Sequence, residues 1–456
     1  MPRASGLRCA VLVVALAAIP RGAAAIELSV VEDRLPNGLE VLLHEDHSAP
    51  VVSSYVFFRS GSRNEQYGKT GIAHLFEHMM FNGGKKFGPG VFDDLIEGNG
   101  GSTNGYTTRD YTAYLNNFPR EALPIVLDLE SDRMANLALT AKNLEQERGI
   151  VMEERRLRID DQVSGVMNEA LYLHAFVRSP YRWNTVGFMA DLERITLADA
   201  RAYFETYYAP NNGTLVLAGD LDPPAAFALV RRYFAKIPRR PPPAAVDSRE
   251  PPQEGERRVI VRKSAELPAV MMGYHGVRAV DADRPVLDVI ERLLARGEST
   301  RLYEDLVRKH EVATGVEADN NWALDPDLFV VYAQARPEKT AADLEQRLDA
   351  VMRRLAAEPV PADELRKAKN KLRAELVRNL KTVSGKANQI GFFRTVFGDY
   401  RAMLGLEAAW EAVTADDVRR VAAAYFRPEQ RTVVVLEPLA AGRPSGERLP
   451  AARKAS

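Results

Sequence analysis

Cysteine is almost missing from this chain: 456 residues contain one, Cys9. It falls in a segment that reads as a cleaved leader, so the remaining chain has no thiol. That excludes disulfide cross-links, thiolate metal ligands and a cysteine nucleophile. Excess charge is missing too. The 61 basic and 62 acidic side chains leave a formal net charge of −1, so no basic field draws the chain to nucleic acid. Beyond the first 25 residues there is no apolar run long enough to span a bilayer. What is present is ordinary for a globular protein, 46% hydrophobic and 27% charged residues. Such values exclude disordered and collagenous chains. The length predicts two or three domains, each able to bury its own core.

The first 25 residues have three parts. Arg3 and Arg8 form a short basic region, Cys9 to Ile19 is apolar, and Ala23, Ala24 and Ala25 offer a small-residue cleavage site. This is the pattern of a secretory signal peptide, with the processed chain starting near Ile26. The expected location is outside the cytoplasm, most simply a bacterial periplasm, with secretion as the alternative.

A proline-rich stretch over 238–256 contains Pro238, Pro241, Pro242, Pro243, Pro251 and Pro252. Proline lacks a backbone donor and resists helix and central strand, so a semi-rigid linker is expected there. It separates residues 26–237 from 257–440, and 441–456 are expected to be a disordered tail. The two parts share a repeat. Thr196, Asp199, Arg201, Tyr207, Pro210, Thr214 and Val216 recur as Thr414, Asp417, Arg419, Tyr425, Pro428, Thr432 and Val434, at a constant offset without a gap. Each copy reads as an N-capping Thr, a helix, a stopping Pro and a strand. Duplication explains this better than generic helix–strand likeness. Residues 38–43 and 51–58 read as strands joined by a polar turn, and 123–137 and 144–157 have helical spacing. Directly joined strands followed by grouped helices predict an α+β class, with two homologous α/β-sandwich halves instead of one doubly wound parallel sheet.

The sharpest chemical signal is His74-Leu75-Phe76-Glu77-His78. On a helix the two imidazoles lie one turn apart on one face, and Glu77 shares that face. Such a pair supplies two corners of a zinc site, and the carboxylate is placed to take a proton from metal-bound water. The order inverts the commoner H-E-x-x-H. A third protein ligand is needed. Residues 144–155 read as a helix on which Glu147 and Glu154 are seven apart and share a face. Periodicity alone does not choose between Glu153 and Glu154.

With these residues in place, the sequence resembles the pitrilysin/insulinase-like inverzincin metallopeptidases, which include the mitochondrial processing peptidases. The resemblance covers nearly the whole processed chain. The family pattern puts a Glu about 76 residues after the motif, with a second Glu seven residues before it. It implies that His74, His78 and Glu154 bind one zinc ion, that Glu77 is the general base and that Glu147 supports the ligands. Residues 100–107 resemble the family strand along which a peptide lies extended, with Asn104 holding its backbone. The second half has no such motif, and its counterpart, residues 289–294, lacks histidine. Family members often carry there an Arg followed seven residues later by Tyr. Arg308 matches the first and is expected to bind substrate, but Gly315 stands where the Tyr would be. That departure points to a homodimer, or to a heterodimer with a homologous non-catalytic chain that completes the site. The implied activity is zinc-dependent endopeptidase hydrolysis of peptides or short unfolded segments. The rival is a non-catalytic scaffold or peptide-binding subunit, and retention of all five motif residues argues against it. General peptide degradation and dedicated precursor processing are equally compatible with the sequence.

Overall fold

The computed structural model describes residues 28–439. The expected leader, with Cys9, and the expected tail lie outside the described residues. The first half contains β1 (Val31–Arg34), β2 (Glu40–Glu45), β3 (Val51–Phe58), α1 (Ile72–Met79), α2 (Val91–Gly98), β4 (Ser102–Thr107), β5 (Thr112–Pro119), α3 (Leu123–Asn136), α4 (Ala141–Arg155), α5 (Val163–Ala175), α6 (Met189–Leu192), α7 (Leu197–Tyr207), β6 (Gly213–Gly219) and α8 (Pro223–Phe234). Residues 238–256 form no helix or strand. The second half contains β7 (Arg257–Ser264), β8 (Ala269–His275), α9 (Arg284–Leu294), β9 (Ala313–Asn320), β10 (Leu328–Ala335), α10 (Ala341–Ala357), α11 (Ala362–Asn379), α12 (Val383–Val396), α13 (Leu406–Ala412), α14 (Ala415–Tyr425) and β11 (Arg431–Leu439). No helix among the described residues is long and apolar enough to cross a membrane.

The duplication is visible in the topology. One sheet runs β1-β2-β6-β3-β5-β4 and the other β7-β11-β8-β10-β9. In both, one parallel pair (β2 with β6, β7 with β11) adjoins an antiparallel run. The repeated Thr residues cap as their sequence predicts. Thr196 and Thr414 each accept from the amide three residues on, and Asp199 and Asp417 accept from the capping amides in return. β2 and β3 are strands joined by a short turn, as expected from sequence, but they do not pair, because β6 lies between them and hydrogen-bonds both. The β6 segment is buried along its whole length, so it gains most in the middle of the sheet.

Both faces of each sheet are covered. In β3, Val52, Val56 and Phe58 point into the core under α1, α3 and α7, whereas Tyr55 and Phe57 point the other way. That second face is covered by α12, which belongs to the second half and contributes Ala387, Ile390 and Phe393. The exchange is reciprocal. From the first half, α5 lays Met167, Leu171 and Tyr172 on Ala269, Met271, Val434 and Leu436 of the second sheet. Gly391 makes the first contact possible, since a Cβ there would lie 1.9 Å from the ring of Phe57. Ion pairs also join the halves: Arg394 to Glu40 at 2.9 Å, Lys386 to Asp46 at 2.6 Å and Arg63 to Asp325 at 3.1 Å. Interlocked helices and these pairs hold the halves in one arrangement, and the site lies beside the space between them.

Candidate metal centre

The helix carrying the motif is fixed at its start. Gly71 precedes α1 with φ 88°, and a Cβ there would meet the Val186 carbonyl oxygen at 2.2 Å, so only glycine fits. The buried Glu65 carboxylate accepts from the amides of Gly71 at 3.0 Å and Ala73 at 2.8 Å, two of the unpaired donors of the first turn. Ile72, Leu75, Phe76 and Met79 bury the opposite face in the first core. His74, Glu77 and His78 are thereby turned toward α4. That helix is anchored one residue past Glu154: Arg155 gives two hydrogen bonds of 2.9 Å to Glu169 of α5.

Across the gap between α1 and α4, His74 Nε2 lies 3.6 Å from Glu154 Oε1, and His78 Nε2 lies 3.2 Å from Glu154 Oε2. One ligand atom from each of the three residues falls within 4.8 Å of the others. Ligands about 2.1 Å from a tetrahedral zinc ion stand about 3.4 Å apart, so these separations suit edges of a metal tetrahedron. His74 is buried, and its Nδ1 has no hydrogen-bond partner among the described residues. Burial drives its pKa down to about 4 against the pull of Glu154, so the ring is neutral and its Nε2 is available to a metal. Burial also opposes protonation of His78, but Glu154, Glu77 and Glu147 outweigh it and raise its pKa. The contact from His78 holds the Glu154 carboxyl below its ordinary value against desolvation. Two imidazoles and one carboxylate form a cluster able to hold a single zinc ion.

Glu77 Oε2 is 4.0 Å from His74 Nε2. Burial raises the Glu77 carboxyl, partly offset by the nearby Thr107 side chain. Glu147 Oε2 lies 3.7 Å from His78 Nδ1, and its Oε1 accepts from Asn82 Nδ2 at 2.9 Å. Of the two neighbours that periodicity left open, Glu154 joins the cluster, while Glu153 faces solvent and pairs with Arg156 at 2.8 Å. Asn104 is exposed on β4, the edge strand of the first sheet, and its Oδ1 accepts from the Gly105 amide at 2.8 Å. Gly105 lets this strand approach the centre, since a Cβ there would lie 3.3 Å from Glu77 Cγ. Arg308 lies in the second half on an exposed surface, held by Glu298 at 2.7 Å and Glu304 at 2.8 Å.

Three contacts were not foreseen. Asn82 and Arg158, which is ion-paired with Glu154, each stand four residues beyond a motif residue, so helical spacing carried a signal for both. Thr107 comes from a different element and left none. It also lines a cavity of about 610 Å³ between the halves, whose other wall includes Arg292, Trp322, Glu375 and Gln389.

Residues 40–186 match the family model described as "Insulinase (Peptidase family M16)", and residues 194–372 match "Peptidase M16 inactive domain". The chain is 31% identical over 408 residues to the zinc protease PqqE of Helicobacter pylori, covering 89% of this chain and 92% of that protein. It is 26% identical over 415 residues to a probable mitochondrial-processing peptidase subunit beta of Arabidopsis thaliana, covering 89% of this chain and 78% of the other. Among solved structures, a protease from Helicobacter pylori superposes with a TM-score of 0.87 at 29% identity, covering 90% of this chain and all of that one.

Proposed function

Because the chain belongs to the pitrilysin/insulinase (M16) family of zinc metallopeptidases and, with its His74, His78 and Glu154 gathered in one centre, is a zinc endopeptidase, we propose a role for each residue of that centre. His74, His78 and Glu154 hold the ion, Glu77 is the general base and Glu147 orients His78. The observation that carries this is the meeting of two Nε2 atoms and a carboxylate from separate helices, with a second carboxylate beside them. Zinc, when bound, supplies a Lewis acid that polarises the scissile carbonyl and lowers the pKa of a water. Glu77 accepts the proton of the attacking water and returns it to the leaving nitrogen. Its burial, which raises the carboxyl, brings its proton affinity closer to that task. The free edge of β4 pairs with the substrate backbone as an added strand. Asn104, with its Oδ1 engaged by Gly105, turns its amino group to a substrate carbonyl.

Residues 26–237 act as the catalytic domain, 238–256 as the linker and 257–440 as the metal-free homologous domain. Arg308 reaches substrate only by leaving Glu298 and Glu304. A homologous non-catalytic chain, or a second copy, supplies the contact that Gly315 does not. The leader pattern over residues 1–25 supports export, to the periplasm first. Glu77→Gln tests the base. It is expected to keep zinc and lose roughly 10²–10⁴-fold in kcat on an unstructured peptide. Unchanged kcat in a zinc-loaded E77Q protein would remove Glu77 from the mechanism. Loss of zinc with the substitution would make its role structural.

A further inference from the structure

In the second half, α9 and α11 repeat the packing of α1 against α4, but they carry no ligand set. Instead they form a groove of about 600 Å³. Residues 363, 366, 367, 370, 371, 374 and 378 line it from one face of α11, at helical spacing. Along that helix four cations, Arg366, Lys367, Lys371 and Arg378, stand against two carboxylates, Asp363 and Glu375, and Glu375 is already paired with Arg292. Arg366 and Arg378 have no ion pair among the described residues. Lys371 spends one donor on the Arg296 carbonyl at 3.0 Å, and Lys367 one on the Ser299 carbonyl at 3.1 Å. Burial and the neighbouring Lys367 and Arg292 lower the pKa of Lys371.

At its inner end the groove meets the large cavity between the halves. Arg292, Arg296 and Glu375 line both. Arg292 is fixed there by Glu291 at 2.7 Å and Glu375 at 2.6 Å. The far wall of that cavity begins at Thr107, at the end of β4, whose side chain stands near enough to Glu77 to lower its carboxyl. A peptide lying along β4 therefore has a continuous path from the metal centre to the basic face of α11.

We propose that this groove binds carboxylates of the peptide substrate at a distance from the scissile bond, so that the enzyme prefers peptides with an acidic segment or a free C-terminal carboxylate there. The inference rests on the peptidase reading and adds a specificity site to it. Partly exposed ion pairs are individually weak, and several together give roughly a tenfold preference. Because they are exposed, salt screens them.

The test uses one neutral fluorogenic peptide extended by four Glu or four Gln, at either end, with the C-terminus amidated or free. At low salt the wild-type zinc enzyme is expected to cleave a Glu-extended or free-acid peptide with roughly tenfold higher kcat/KM than the amidated Gln peptide. Preference for the amidated Glu peptide assigns side-chain carboxylates, and preference for the Gln free acid assigns the terminus. The double variant R366E/R378E should favour a Lys-extended peptide over its Glu counterpart. In the wild type, inorganic pyrophosphate should raise KM for the Glu peptide and leave the amidated Gln peptide unaffected. Equal rates on the amidated Gln, amidated Glu and free-acid Gln peptides, a preference that survives R366E/R378E, or no effect of pyrophosphate on the preferred peptide overturns the groove. Failure of the zinc-loaded protein to cleave any peptide instead overturns the peptidase reading.

Discussion

Gly391 sits where α12 of the second half crosses β3 of the first, and replacing it with Ala tests whether the halves interlock as described. Two effects compete. In a helix interior Ala is favoured over Gly by about 1 kcal/mol. The new methyl carbon, however, would lie 1.9, 2.5 and 2.6 Å from three ring atoms of Phe57, where ordinary carbon contacts are about 3.5–4 Å. Phe57 is 0% exposed and is packed near the Tyr55 and Tyr111 rings, so the ring has nowhere to retreat. Overpacking of this kind costs about 1–3 kcal/mol, and so severe an approach belongs at the upper end. The net expectation is a loss of about 2 kcal/mol. Urea unfolding followed by tryptophan fluorescence reads it, because Trp322 stacks on Phe392, the next residue. Phe57→Leu in the same chain should recover part of the loss, giving a coupling of about 1 kcal/mol or more. A Gly391→Ala protein as stable as the wild type, or stabilised by helix propensity, would show that α12 does not lie on the first sheet as described.

Glu40 gives a pH prediction. Burial alone would raise its carboxyl, but Arg394 and Arg59 reverse this and hold it at about 2. A carboxylate depressed in the folded state adds stability that is complete above its unfolded pKa and is lost as pH falls toward the folded value. The contribution, about 1–2 kcal/mol after solvent screening, should disappear between roughly pH 4.5 and pH 2. Arg394→Gln should flatten that part of a stability–pH curve, and an unchanged slope would refute the assignment. Glu147→Ala removes the acceptor of Asn82 Nδ2 and the carboxylate beside His78 Nδ1. Zinc affinity should fall by about 10–100-fold, read by competition with a chromophoric chelator; an unaltered affinity would place Glu147 outside the centre.

How much of this was legible in sequence depended on distance along the chain. The inverted motif is local: His74, Glu77 and His78 sit on one short helix, and helical phase alone gives their common face. The Thr and Asp caps of the repeat are likewise local, and both copies make the bonds their spacing predicts. Glu154 was harder. Periodicity placed a carboxylate on the right face of α4 but did not separate it from Glu153, and the family resemblance made that choice. The placement of β6 between β2 and β3, and the exchange of α5 and α12 between halves, left no local mark. Sheets buried on both faces give strands such as 51–58 apolar side chains in both directions, so alternation does not reveal which helix covers which face. Thr107 was invisible for a related reason: its partner, Glu77, is 30 residues away on another element.

One zinc ion held by His74, His78 and Glu154 underlies the chemistry described above, and its stoichiometry and affinity can be measured. Elemental analysis of the purified chain, paired with chelator competition for Glu154→Gln, is the measurement. One zinc per chain in the wild type, with affinity reduced by orders of magnitude when the carboxylate becomes a neutral amide of equal shape, is the predicted result. A wild-type chain that binds no zinc, or a Glu154→Gln chain that binds it as tightly, would rule out this ligand set.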